Sequence, residues 1–320
     1  MSLWILLALL LVALLWLGLY LHHIFEGEWL PHDLRREFRL SRRNLSELDQ
    51  SWAEAKDRSD IVVTLTTTPS RITLLEHTLK SLLDQTRPPA KIVLNVPEFS
   101  QREQIAYVIP DALTALQSLE IHRCEDLGPG TKLIPSLMRF DPDQPLLVLD
   151  DDRIYPAWLI ARYEAAMTSH PDTALTMAGW VVPDDLTDRP TTIRSSLLLQ
   201  PPAPIRAPRL SAPRPIDVML GVMSYLVRPR QFDLSEMADL DNGPEALRYV
   251  DDVRSSALCN ADKLVIPAPS LSFVPWRQRN AFQSTRLGLM NRGTGGTGER
   301  HNTIAIRHYR DKWRVGGRTD

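Results

Sequence analysis

Cysteine is nearly absent: Cys124 and Cys259 are the only two in 320 residues. Two thiols make at most one bridge, so a disulfide framework and a cysteine-based metal site are both excluded, and a reducing compartment is the simpler expectation. Surplus positive charge is missing too. Lys and Arg number 37 against 39 Asp and Glu, a formal charge of -2. Nucleic-acid binders usually carry a basic excess, so no nucleic-acid partner is expected. No internal repeat occurs, which sets aside solenoids and propellers. Nor does a P-loop: "CEDLGPGTKL", Cys124 to Leu133, has flexible glycines, a threonine and a lysine, but not the spacing or the paired ending.

What is present is a globular composition, 43% hydrophobic and 24% charged, sufficient for one sizeable core. The first residues differ from the rest. "LWILLALLLVALLWLGLYL", Leu3 to Leu21, has no charge and no proline. About 20 apolar residues span a bilayer as a helix. Trp4, Trp16 and Tyr20 suit its interfaces. A cleaved signal peptide needs a basic n-region and a shorter apolar core, and no Lys or Arg precedes Leu3. A retained anchor over residues 1–24 is therefore expected. Arg35, Arg36, Arg39, Arg42 and Arg43 follow it. By the positive-inside rule they place the body in the cytoplasm. Residues 25–58 read as a charged juxtamembrane stem whose arginines touch anionic headgroups. The folded domain is expected over 59–320.

Within that domain apolar strands alternate with helical patterns. "DIVVTLTTT", "KIVLNV", "LEIHRC" and "LLVLD" read as strands; "TLLEHTLKSLLDQ" and "PAWLIARYEAAMTSH" read as helices. This predicts an α/β fold with a mostly parallel sheet flanked by helices. Ligands of such sheets bind at the carboxyl ends of strands. A proline-dense stretch, 184–215, reads either as an ordered surface excursion or as a mobile flap beside a site.

The candidate chemistry lies at one such strand end. "PLLVLDDDRIYP" runs from Pro145 to Pro156, and its apolar run stops at Asp150, Asp151 and Asp152. Adjacent anions need water, a helix N-terminus or a cation to compensate them. On extended chain Asp150 and Asp152 point the same way, which suits Mg²⁺ or Mn²⁺. The competing reading has one of them capping the helix near Pro156. "RYVDDV" supplies Asp251 and Asp252 before a helix, as a general base or as an N-cap pair. "TGGTGERHNT" offers His301 as a further metal ligand or as plain polar surface.

In order, "VVTLTTTPSRI", "PPAKIVLNVP", "DLGPGTKLIPSL", "LLVLDDDRIYP", "GVMSYLVRP" and "YVDDVRSSAL" resemble a glycosyltransferase of the GT-A (Rossmann-like) fold, close to family 2, over roughly 60–268. The resemblance implies that Asp150 and Asp152 hold Mn²⁺ or Mg²⁺ and that Asp151 belongs to the donor site. Asp252, with Asp251 second, would be the catalytic base. Thr66 and Arg71 would border the nucleotide, and Lys132 the diphosphate. Many family 2 members have aspartates after the second strand; here that place reads "LNVPEF", leaving Asn95 or Glu98 as substitutes. The resemblance implies a nucleotide-sugar donor and a glycan or glycolipid acceptor; with the apolar anchor, its flanking arginines and a composition rich in Pro, Ala, Arg and Asp, the expectation is a single-pass protein of a bacterial inner membrane serving polysaccharide biosynthesis. Two alternatives differ in kind: a metal-dependent nucleotidyltransferase, and a non-catalytic assembly factor with a degenerate transferase fold.

Overall fold

The computed structural model describes residues 3–239, 243–283 and 299–317. Its central layer is an eight-stranded sheet. In chain order the strands are β1 (Val62–Thr66), β2 (Lys91–Pro97), β3 (Leu119–Cys124), β4 (Leu146–Val148), β5 (Ala174–Thr176), β6 (Arg214–Ile216), β7 (Tyr225–Val227) and β8 (Lys263–Val265). Across the sheet the order is β6-β8-β5-β7-β4-β1-β2-β3. The run β4-β1-β2-β3 is parallel throughout, as is the β5–β8 pair. β7 runs antiparallel between β4 and β5, and β6 is antiparallel to β8. The expected mostly parallel α/β sheet flanked by helices is thus present.

Its strands read as near-continuous apolar runs because helices cover both faces. Ile61, Val63, Leu65, Ile92, Val93, Leu94 and the whole of Leu146 to Leu149 are fully buried. β1 and β4 are parallel neighbours, with Val62 beside Leu146 and Thr64 beside Val148. The pairing extends to Leu149, whose N–H bonds the carbonyl of Thr64 at 3.1 Å. The threonines after β1 and the aspartates after β4 therefore emerge at one edge.

Helix α1 (Leu3–Glu26) is long and apolar enough to cross a membrane, and none of its residues is buried. The next two helices, α2 (Leu30–Ser41) and α3 (Leu45–Glu54), correct the expectation of a stem followed by a body that starts near Asp60. Both pack on α4 (Glu76–Leu83). Asp49 in α3 accepts from the N–H groups of Gln117 and Ser118, each at 2.9 Å, and so holds the start of β3. Arg36 in α2 is buried and donates to the carbonyl of Tyr155 at 2.7 Å, to Asp84 at 3.0 Å and to the carbonyl of Ser81 at 3.2 Å. Arg39 and Arg43 reach the same Asp84. These three arginines serve the fold; Arg35 and Arg42 are exposed, and Arg39 keeps an exposed side chain while it holds Asp84. Buried Asp33 has its carboxyl pushed up to about 7, first by burial and then by repulsion from Glu28.

The proline-dense stretch is an ordered excursion. Ile205–Arg206 pairs with Ala178–Trp180, and Ala203, Ile205 and Ala207 are buried. Cys124 and Cys259 are both free thiols.

Arg36→Ala leaves Asp84 without its buried partner and frees two carbonyls. Breaking such a pair costs roughly 3–5 kcal/mol. Chemical denaturation of the full chain in detergent should show that loss, whereas Arg35→Ala, at an exposed position, stays within about 0.5 kcal/mol of the parent.

Candidate active site

The three aspartates that follow β4 are pinned from behind. The Tyr155 hydroxyl is fully buried, accepts from the Asp150 N–H at 2.9 Å and donates to the Asp150 carbonyl at 3.1 Å. The Thr78 hydroxyl of α4 lies 2.8 Å from the Asp151 carbonyl and 2.9 Å from that of Arg153. The helix that follows, α6 (Leu159–Ser169), begins late, with Trp158 at its cap position. None of the three aspartates caps it, so the capping reading of this triplet fails.

Cations from two other elements meet the carboxylates instead. Arg71, just past β1, donates to Asp151 at 2.9 Å and to Asp152 at 2.8 Å. The Thr67 hydroxyl donates to the other oxygen of Asp151 at 2.6 Å. Asp151 is the most buried of the three, and burial raises its pKa; Arg71 opposes that rise, and Asp152 and Asp150 add to it. Lys132 comes from the turn Gly128–Lys132, which leads into α5 (Ile134–Arg139). Its Nζ donates to Asp150 Oδ1 at 3.0 Å and lies 2.9 Å from Asp251 and 3.8 Å from Asp252. Burial alone would depress its pKa. The carboxylates of Asp150, Asp251 and Asp252 outweigh burial and hold it well above the ordinary lysine value.

Asp251 and Asp252 open helix α7 (Asp251–Leu258), inside its first turn, after Val250 at the cap position. They are not an N-cap pair. The positive end of the helix favours both anions. Asp252 Oδ1 accepts from the Gly221 N–H at 3.0 Å. Burial raises the Asp252 pKa first, Asp251 raises it further, and Lys132 pulls it back. Gly221 is needed here for space: a Cβ would stand 2.5 Å from Lys132 Nζ and 2.7 Å from Asp252 Oδ1.

These groups line one cavity of about 820 Å³. Thr66, Arg71, Lys132, Asp150 to Asp152, Asp251 and Asp252 all face it. Three expected residues do not: Glu98 is exposed and pairs with Arg123 at 3.5 Å, and Asn95 and His301 lie elsewhere. Asn95 is fully buried, and its amide N–H donates to Thr64 at 3.0 Å and to Ser136 at 3.1 Å inside the sheet's cover. It belongs to the core, not to a donor site. His301 stacks on Tyr249, ring centroids 5.3 Å apart, and only Tyr249 lines the cavity. His301 is thus not gathered with Asp150 and Asp152 as a third metal ligand. The glycine-rich stretch before it lies outside the described residues. Thr67, Tyr155 and Gly221 are site residues that the motifs did not single out; Thr67 alone had a signal, as the second of the strand-end threonines.

Among the described residues no group of three or more His, Cys, Asp or Glu side chains forms a metal-holding cluster. The donor chemistry nevertheless fits a hard cation. Asp152 Oδ1 is buried without a hydrogen-bond partner, and the available ligands are carboxylate oxygens. Asp150 and Asp152 together supply two side chains, so the remaining ligands of a Mg²⁺ or Mn²⁺ ion would come from substrate phosphates or water.

Gly221→Ala forces Lys132 and Asp252 apart. Overpacking of this kind costs about 1–3 kcal/mol. Thermal denaturation should show the loss, and adding Lys132→Met should deepen it, because the buried carboxylates of Asp150, Asp251 and Asp252 then lose their cation.

No family model matches the chain, and no curated protein matches it. Solved structures do. Similarity is found to S. aureus TarS 1-349, at 14% identity and a TM-score of 0.41, over 79% of this chain and 71% of that one. The mannosyltransferase PcManGT from Pyrobaculum calidifontis, in complex with GDP-Man and Mn2+, is similar at 13% identity and a TM-score of 0.42, over 86% and 81%. A 4-diphosphocytidyl-2C-methyl-D-erythritol synthase is similar at 12% identity and a TM-score of 0.40, over 72% and 99%.

Proposed function

We propose that this chain is a membrane-anchored, metal-dependent glycosyltransferase that moves a sugar from a nucleotide-diphosphate donor to an acceptor hydroxyl, with inversion at the anomeric carbon. One observation carries the reading. Two acidic groups on different elements, Asp150 to Asp152 and Asp251–Asp252, share one cavity and are bridged by Lys132. Such an arrangement suits a donor diphosphate on the triplet side and a proton acceptor on the α7 side.

A divalent cation on Asp150 and Asp152 would act as a Lewis acid toward the diphosphate. Arg71 and Thr67 hold Asp151 and thereby fix the loop that presents those two carboxylates. Thr66 borders the nucleotide. Lys132 supplies positive charge between the two acidic groups and lies where the diphosphate oxygens would come. Asp252 is the base. Gly221 orients it through Oδ1, and the other oxygen takes the acceptor hydroxyl proton. Burial and Asp251 raise its proton affinity, which favours transfer near neutral pH. The hydroxyl oxygen then bonds to the anomeric carbon, and the bond from that carbon to the diphosphate oxygen breaks, its electron pair leaving with the nucleoside diphosphate. Attack from the face opposite the leaving group inverts the centre.

Two features support a membrane-resident acceptor, a lipid-linked glycan or glycolipid. Helix α1 is apolar enough to span a bilayer, and its last turn, through His22 and Glu26, lines the same cavity as the aspartates. By the positive-inside rule the arginines that follow α1 support a body on the cytoplasmic side.

Calorimetric titration of the full chain in detergent with UDP and GDP, with and without Mn²⁺, tests the donor site. Binding should require Mn²⁺ and vanish in Asp150→Ala/Asp152→Ala. Equal binding by both proteins would remove the triplet from the site. Once a donor is found, Asp252→Asn should retain donor binding and lower kcat by about 10²–10⁴. Release of pyrophosphate instead of a nucleoside diphosphate would identify a nucleotidyltransferase.

A further inference from the structure

We propose that the outward face of α2, together with Trp276, is a second membrane-contact surface that lies in the headgroup layer of an anionic bilayer. The proposal rests on α1 staying attached as a span, and it is independent of the transferase reading.

α2 is built inside out. Its buried residues are Asp33, Arg36, Glu37 and Leu40. Its outward face shows Leu34, 49% exposed, and Phe38, 50% exposed. These two stand one turn apart on the same side of the helix. A helix in water normally buries its apolar stripe and exposes its charges. Here Asp33, Arg36 and Glu37 face the protein, where Asp84 and the carbonyls of Ser81 and Tyr155 meet Arg36 and the N–H groups of Trp276 and Arg277 meet Glu37, and the apolar pair faces out beside exposed Arg35 and Arg39. That polarity suits a helix with protein on one side and the headgroup–acyl boundary on the other.

The surroundings agree. Trp276 is 41% exposed, and its N–H and that of Arg277 both bond Glu37, next to Phe38. Tryptophan is enriched at membrane interfaces. Exposed cations border the patch: Arg35 is adjacent to Leu34, and the Arg42 guanidinium lies 4.0 Å over the Phe38 ring. Such cations complement anionic headgroups.

The placement relative to α1 fixes the occupant. Only Gly27, Glu28 and Trp29 separate the two helices. The Trp29 ring folds back, 6.2 Å from the Trp16 ring and 5.4 Å from His23. α2 therefore starts alongside the last turns of α1, not beyond them. With α1 across the bilayer, that level is the headgroup layer.

The test uses the full chain in vesicles, in a Cys124→Ser background, with a nitroxide at Leu34→Cys, at Phe38→Cys or at Asp143→Cys. The Asp143 side chain is 83% exposed and precedes β4, at the sheet edge opposite the cavity. In vesicles containing phosphatidylglycerol, labels at 34 and 38 should collide more with oxygen than with a water-soluble nickel chelate, and the label at 143 the reverse. The contrast should shrink in pure phosphatidylcholine. If all three labels favour the nickel chelate in both lipids, the surface is not in the membrane. Protection that appears in detergent only as protein concentration rises would assign the patch to a second copy and overturn the proposal. Intact mass of the reconstituted protein checks the premise separately: loss of residues 3–26 would overturn it through the anchor, with the donor site untouched.

Discussion

The site depends on one buried ammonium. Lys132 Nζ lies among Asp150, Asp251 and Asp252, and without it the end of β4 and the start of α7 would repel each other across the cavity. Each acidic group has its own local support. The triplet has Tyr155 and Thr78 behind it; the α7 pair has a helix N-terminus and Gly221. Among the described residues only the lysine joins them. Its desolvation is tolerable because three carboxylates surround it, and their proximity is tolerable because it is there. Gly221 completes the arrangement by omitting a side chain where the lysine and Asp252 meet.

A second layer holds the triplet from outside the sheet. Arg153, immediately after Asp152, bonds Ser272 at 2.8 Å and lies 3.4 Å from Glu28, which belongs to the short connection between α1 and α2. Arg36 reaches the carbonyl of Tyr155, whose hydroxyl in turn holds Asp150. The residues of α2 are thus two bonded steps from the candidate cation ligands. What looks like a tether in the sequence is a wall of the site.

The sheet was legible in the sequence because its strands are continuous apolar runs, and the triplet and the pair that opens α7 stood out as carboxylates placed directly after apolar residues. Other features were not. Asn95 sits in β2, where every residue from Ile92 to Pro97 is buried. With both faces covered, alternation gives no clue to which polar side chain faces a ligand, and Asn95 turned inward to Thr64 and Ser136. His301 lacked any local signal, since its partner Tyr249 is distant in the chain. Residues 25–58 read as a juxtamembrane stem because they are charged. Their charges are matched by Asp84, Arg153 and backbone carbonyls far along the chain, and long-range pairing of this kind leaves no periodicity to read.

The shared carboxylate of Asp84 has a consequence for how the protein enters a membrane. Arg36, Arg39 and Arg43 all converge on it after folding. In the proposed orientation the same arginines, before folding, are the charges that keep the body from being translocated. In that orientation they would act first as a topology signal and later as a clamp on the finished domain. Neutralising them to invert the protein would also dismantle the clamp. In that orientation insertion direction and tertiary structure would be locked to one set of residues, neither free to change alone.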